Sequence, residues 1–231
     1  MNYAIEAFDG HVLVALPEGR FLIDTGSPLS FARTRRATFG GMETDLAPSL
    51  SGLDADGLSR LVGTSLDGLI GMDVLGRFVV TFGRSELSVD EGAPSEPDPA
   101  FTELETDGVM GIPVVAVLAN GRTARMFVDS GAKLSYLAPE RLAGLPVEET
   151  LRDFYPGIGE FDVEASTAGC ELGGQSFRAK FGRPPALVRM MLSGSGVDGI
   201  LGRDLFAVFA VRLARGRLAI APLRSGPRFE P

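Results

Sequence analysis

The sequence predicts a strand-rich chain of two lobes related by an approximate twofold axis, and three observations lead there. The stretch Phe21-Leu22-Ile23-Asp24-Thr25-Gly26-Ser27-Pro28-Leu29-Ser30-Phe31 recurs as Met126-Phe127-Val128-Asp129-Ser130-Gly131-Ala132-Lys133-Leu134-Ser135-Tyr136. Both copies read as three apolar residues, Asp, a hydroxyl residue, Gly, two variable positions, then Leu, Ser and an aromatic. A second unit, Asp67-Gly68-Leu69-Ile70-Gly71-Met72-Asp73-Val74-Leu75, recurs as Asp198-Gly199-Ile200-Leu201-Gly202-Arg203-Asp204-Leu205-Phe206. The register then persists: Phe78, Val80 and Phe82 match Phe209, Val211 and Leu213, while Leu87 and Val89 match Leu218 and Ile220, with the alternation of half-buried strands. Asp-Thr-Gly alone is a weak signal, since Asp and Gly are common in turns. Segments that repeat in the same order mean that a whole lobe is duplicated.

Taken in order, 12–16 and 20–23 are apolar runs around Pro17-Glu18-Gly19 and predict a β-hairpin. The runs are nearly continuous, as expected of strands buried on both faces. Asp24-Thr25-Gly26 ends the second strand. Residues 32–50 are polar and turn-rich, with Phe39-Gly40-Gly41-Met42 a candidate for a residual hairpin tip over the cleft. A short helix is expected over 53–62, weakened by Gly57. The stretch 91–108 has the Pro, Glu, Asp and Ser content of a linker, with Phe101 and Leu104 available to anchor it. The expected organisation is an N-terminal lobe over 1–90, a linker over 91–108 and a C-terminal lobe over 109–231. The second lobe opens with an apolar run at 112–118 followed by Asn120-Gly121, a strong hairpin signal. Pro139 begins a helical turn. The second copy is longer, mainly within 151–195. There Tyr155-Pro156-Gly157-Ile158-Gly159, followed by the alternating Phe161-Asp162-Val163-Glu164-Ala165, predicts a hairpin with a Gly-rich tip.

Composition excludes several classes. A net charge of −8 over 231 residues argues against a nucleic-acid backbone or an anionic membrane as partner. The single Cys170 leaves no intramolecular disulfide and fits a reducing compartment. The single His11 excludes an ordinary Cys/His zinc site and leaves a Ser-His-Asp triad resting on one residue. Neither metal nor cofactor is expected. Gly194-Ser195-Gly196-Val197-Asp198-Gly199 matches a dinucleotide fingerprint by letter, but it precedes an apolar strand instead of following one. The N-terminus lacks a basic region followed by an apolar one, and the run at 112–119 is too short to span a bilayer. A soluble, cytoplasmic protein is the expectation.

Two carboxylates at equivalent points of homologous lobes are expected to meet near the axis between them. Like charges in a poorly solvated cleft repel, so one proton is shared, one pKa rising and the other falling. Such a pair takes a proton from water with one member and donates to a carbonyl with the other. Gly26 and Gly131 let the two loops approach closely. Thr25 and Ser130 supply hydroxyls that bond the opposite loop. Ser27, which is Ala132 in the other copy, is expected to hydrogen-bond Asp24 and make it the ionised member. Asp73 and Asp204 open short helices, where the dipole stabilises a carboxylate, and are expected to be structural.

On these residues the chain resembles the clan of aspartic proteases that contains the pepsin-like and retropepsin-like enzymes. Asp24-Thr25-Gly26 and Asp129-Ser130-Gly131 match the clan's catalytic loops, and Ile70-Gly71 and Leu201-Gly202, each after an apolar residue, match its second hallmark. The likeness covers roughly 8–89 and 112–222. It implies an all-β, bilobal, pseudo-twofold acid-protease fold: two retropepsin-like β-barrel lobes with a few short helices, fused in one chain. It further implies Asp24 and Asp129 as the catalytic pair and Thr25, Gly26, Ser130 and Gly131 as their support. The reaction implied is water-mediated hydrolysis of a peptide or protein substrate, without metal or covalent intermediate. The flap candidate, Tyr155, Gly157, Ile158 and Gly159, falls on the second lobe, and Pro28 and Lys133 stand where retropepsins carry an Asp that positions substrate. The expected activity is that of an aspartic endopeptidase working as a monomeric pseudo-dimer. The alternatives are a catalytically silent peptide- or protein-binding module and a homodimer.

Overall fold

Strands account for 52% of the structure and helices for 14%, in the all-β, two-lobed arrangement expected from the repeats. The computed structural model describes residues 1–92, 98–156 and 158–223.

In the first lobe a five-stranded sheet runs in the order Glu6–Phe8, His11–Leu16, Gly19–Ile23, Gly68–Ile70, Phe31–Ala32. Gly68–Ile70 lies parallel to Gly19–Ile23 and antiparallel to Phe31–Ala32. The chain therefore leaves one side of this strand at Ile23, forms the 24–30 loop, and returns on its other side. The second lobe repeats the device: Gly199–Leu201 lies parallel to Arg122–Val128 and antiparallel to Ser135–Leu137. Both central strands are wholly buried, which is why their sequences are apolar without alternation.

A six-stranded sheet joins the lobes, in the order Asn2–Ala4, Glu86–Asp90, Val79–Phe82, Phe209–Ala214, Arg217–Pro222, Thr102–Leu104. At its centre Val79–Phe82 pairs antiparallel with Phe209–Ala214, so the two copies of the alternating strand meet each other. Val80, Phe82, Val211 and Leu213 point into a core that also holds Ile23, Ile70, Val128 and Leu201. Burying each such side chain stabilises by about 1.5–3 kcal/mol, so the floor beneath both Asp loops is one shared apolar body.

The expected helix at 53–62 forms over Ala55–Val62. It starts late because Leu53–Asp54 first pairs with Ser49–Leu50, and the Asp54 carboxylate caps the Gly57 N–H. The stretch expected as a linker is built into the body from Asp98 onward. Thr102–Leu104 extends the six-stranded sheet, Thr106–Val109 opens the second lobe, Leu104 packs on the core, and Phe101 lies 3.7 Å from the Arg212 guanidinium. Residues 93–97 lie outside the described residues. The tip at 39–42 does not reach the cleft. Phe39 stacks on Tyr3 at 5.5 Å and meets Phe78 edge-on at 5.6 Å, and the Gly40 N–H donates to the Tyr3 hydroxyl. Aromatic burial against the joining sheet holds that hairpin away from the 24–30 loop. Among the described residues no helix is long and apolar enough to cross a membrane.

Candidate active site

Each Asp is placed by the strand beneath it. The Asp24 N–H donates to the Ile70 carbonyl and the Asp129 N–H to the Leu201 carbonyl, both at 3.0 Å, carrying the parallel ladder one residue past the strand end. The following Gly must be Gly: a Cβ on Gly71 would stand 2.7 Å from the Leu29 carbonyl oxygen, and one on Gly202 would stand 2.6 Å from that of Ala132. The Ser of the repeat then ties the loop down, Ser30 Oγ accepting from the Gly71 N–H at 2.8 Å and Ser135 Oγ from the Gly202 N–H at 3.0 Å. Ser30 donates in turn to Asp73, which gives that carboxylate its structural partner.

The loops interlock across the axis. Thr25 Oγ1 accepts from the Ser130 N–H and donates to the Val128 carbonyl; Ser130 Oγ accepts from the Thr25 N–H and donates to the Ile23 carbonyl. A Cβ on Gly26 would lie 2.2 Å from the Asp129 carboxyl carbon, and one on Gly131 would lie 2.5 Å from that of Asp24. Each Gly thus makes the room in which the opposite carboxyl sits, which brings the two carboxyls against each other across the axis.

Backbone N–H groups face both carboxyls. Asp129 Oδ1 accepts from Gly131 at 2.9 Å and Ala132 at 3.0 Å, and Asp24 Oδ1 from Gly26 at 2.8 Å, with the Ser27 N–H also turned toward Asp24. Burial, then the charge of Asp129 and the hydrogen bond between them, push the Asp24 carboxyl well above the usual carboxylate range. Burial also raises Asp129, but the hydrogen bond from Asp24 and the two N–H groups pull it back. Burial thus keeps a proton on the pair as a unit, shared between Asp24 and Asp129, and the lowering of Asp24 expected from Ser27 is not found. The Ser27 hydroxyl donates to the Leu29 carbonyl at 2.8 Å and leaves the carboxylate alone.

The second-lobe hairpin consists of Glu149–Tyr155 and Gly159–Leu172. Its turn is closed by the Ile158 N–H donating to the Tyr155 carbonyl at 2.9 Å, with Gly159 at φ 87°. Gly157, expected at the tip, lies outside the described residues. Tyr155 and Ile158 pack on Val114, Leu134, Tyr136 and Ile200 of their own lobe. The Tyr155 hydroxyl is pushed up by burial and then by the charges of Asp129 and Asp24, so it stands within electrostatic reach of both. Phe154 crosses to the first lobe, packing against its Leu13, Leu22 and Leu58 cluster.

Two residues at this site carried no sequence signal. His11 is only 2% exposed, and its Nδ1 lies 2.7 Å from the Gly131 carbonyl oxygen of the other lobe's loop. Burial lowers its pKa. Asp153 is buried within the hairpin strand and accepts from the Tyr136 hydroxyl at 2.5 Å and the Phe154 N–H at 2.8 Å; burial raises its pKa. A lone His after a turn and an Asp inside a strand look like surface residues until their partners are known.

A pair of lobes duplicated around interlocked Asp loops is the bilobal fold of the aspartic proteinases. The solved aspartic proteinase from Irpex lacteus matches over 97% of this chain and 97% of its own, with a TM-score of 0.54 and 14% sequence identity. A retropepsin-like aspartic protease from Rickettsia conorii matches over 52% of this chain and 89% of its own, with a TM-score of 0.39 and 17% identity. No family model and no curated protein sequence matches the chain.

Proposed function

We propose that the chain is an aspartic endopeptidase, working as a single-chain pseudo-dimer in a reducing compartment such as the cytoplasm. The observation that carries this reading is the buried, facing Asp24–Asp129 pair, held by reciprocal Thr25 and Ser130 bonds and kept protonated as a pair by burial. A water bound by both carboxyls loses a proton to the ionised member of the pair as its oxygen adds to the peptide carbonyl carbon. The protonated member donates its proton to the carbonyl oxygen. On collapse of the tetrahedral intermediate the newly protonated carboxyl passes its proton to the leaving nitrogen, the C–N bond breaks, and a hydroxyl proton returns to the other carboxyl. Tyr155 and Ile158 form the cover over the bound peptide, a flap carried by the second lobe. In the first lobe the stretch between strand Phe31–Ala32 and helix Ala55–Val62 holds the short hairpins at 36–45 and 49–54.

The test is cleavage of a diverse peptide mixture across acidic to neutral pH by the wild type, Asp24→Asn and Asp129→Asn. Loss of one acid–base group is expected to slow cleavage by about 10²–10⁴-fold. Cleavage untouched by either substitution would reject the assignment, and peptide binding without any cleavage would favour a silent binding module.

A further inference from the structure

Around the candidate site, three pseudo-equivalent pairs of positions differ sharply in character. The turn Asp9-Gly10 of the first lobe corresponds to Met110-Gly111 of the second, each with both residues at positive φ (44° and 87°; 55° and 82°). Pro28 corresponds to Lys133 in the Asp loops. Met72 corresponds to Arg203 after the paired glycines; their N–H groups make equivalent bonds, to Ser27 at 2.9 Å and Ala132 at 3.0 Å. One end of the cleft therefore carries Asp9, Lys133 and Arg203, and the equivalent positions in the other half are Met110, Pro28 and the buried Met72. Leu29 at the apolar end is 49% exposed and Met110 76%.

The charged three come together. A Cβ on Gly10 would stand 2.9 Å from the Arg203 guanidinium and 3.0 Å from Lys133 Cβ. With Leu151 and Asp153 of the hairpin strand they line a cavity of about 340 Å³. Most of its charged groups are occupied. Lys133 pairs with Asp9 at 2.9 Å, Lys180 with Glu149, and Arg152 with Glu160 and Asp162. Asp153 accepts from Tyr136 and Phe154, and Asp204 accepts the Lys180 N–H at 2.7 Å. Arg203 is exposed and its guanidinium makes no hydrogen bond or ion pair among the described residues.

We propose that this cavity is a specificity subsite for an acidic side chain of the peptide, paired by Arg203 with Lys133 beside it, while the opposite end of the cleft takes an apolar residue. The inference rests on the endopeptidase reading for its substrate class, and on the asymmetry of the charged and apolar ends for its chemistry. A planar guanidinium suits a carboxylate through two parallel N–H bonds, which neutral Gln cannot match.

The test uses an arrayed peptide set in which each position near the cut carries Glu, Gln, Lys or Leu. Cleavage by the wild type is measured beside binding by Asp24→Asn, read by fluorescence anisotropy. Glu is expected to exceed Gln by about tenfold or more at one position on one side of the cut, the worth of a charge-assisted bond. Arg203→Glu should invert the preference toward Lys, and Arg203→Gln should abolish it; thermal melts check that both fold. A profile without acid preference, or a preference that survives Arg203→Glu, overturns the proposal. If nothing is cleaved, the endopeptidase reading fails alone and the Glu-to-Gln binding ratio still decides the subsite; peptides neither cut nor bound overturn both.

Discussion

Thr25 and Ser130 close each other's loops: each hydroxyl accepts the other's backbone N–H, at 2.9 and 3.0 Å, and donates to a carbonyl of the opposite strand, at 2.7 and 2.8 Å. The bonds are buried and cross between lobes, so they couple the association of the lobes to the geometry of the two carboxyls.

Thr25→Val keeps the shape but leaves the Ser130 N–H and the Val128 carbonyl without partners. Each orphaned buried group costs about 1–3 kcal/mol. Urea unfolding should show a lower midpoint for Thr25→Val, whereas Thr25→Ser, which keeps the hydroxyl, should stay near the wild type. Equal midpoints for all three would mean that the interlock contributes nothing.

Gly26→Ala and Gly131→Ala place a methyl on the opposite carboxyl. The dyad must part, and a displacement of about 1 Å at a reacting group costs on the order of 100-fold in rate. Steady-state cleavage is the measurement; a Gly26→Ala protein with full activity would contradict the close packing seen here.

The pH dependence of stability follows from the raised Asp24. A carboxyl whose folded pKa lies above its unfolded value of about 3.9 binds its proton more tightly in the native state. Its contribution is complete below the unfolded pKa and is lost as pH rises through the folded pKa. Asp24→Asn cannot ionise, so its melting temperature should exceed that of the wild type at neutral pH, with the gap closing toward pH 4. A gap that widens on acidification would contradict a raised Asp24 pKa.

His11 works in the opposite direction. Burial depresses its folded pKa below the unfolded value of about 6.5, so its contribution is full above that pH and is lost as pH falls toward the folded pKa. Melts from pH 7.5 to 5 should show His11→Phe with a flatter acid limb than the wild type. At pH 7.5 the variant should lose about 1 kcal/mol, since the Gly131 carbonyl no longer has its partner. Parallel curves would show that His11 titrates as it does in the unfolded chain.

Much of the scaffold was legible. The strands under the loops are continuous apolar runs because both faces are buried, and the alternating strands that join the lobes alternate because one face is. The joining strand Thr102–Leu104 was not legible: its acidic, Pro-flanked sequence has linker composition, and only pairing with Arg217–Pro222 makes it a strand. The tip at 39–42 misled for a related reason, since Gly-Gly marks a turn but not the surface on which the turn lands.

The repeated letters were sufficient for the duplication, the two Asp loops and the close-packed glycines, because each of these is a local constraint on backbone or side-chain size. That burial raises both carboxyls, where the hairpin of the second lobe reaches and what His11 touches were decided only in three dimensions. Those outcomes depend on burial and on partners more than a hundred positions away, such as His11 and Gly131. Desolvation and hydrogen bonding act between groups that are neighbours in space, and the order of residues along the chain does not record that distance.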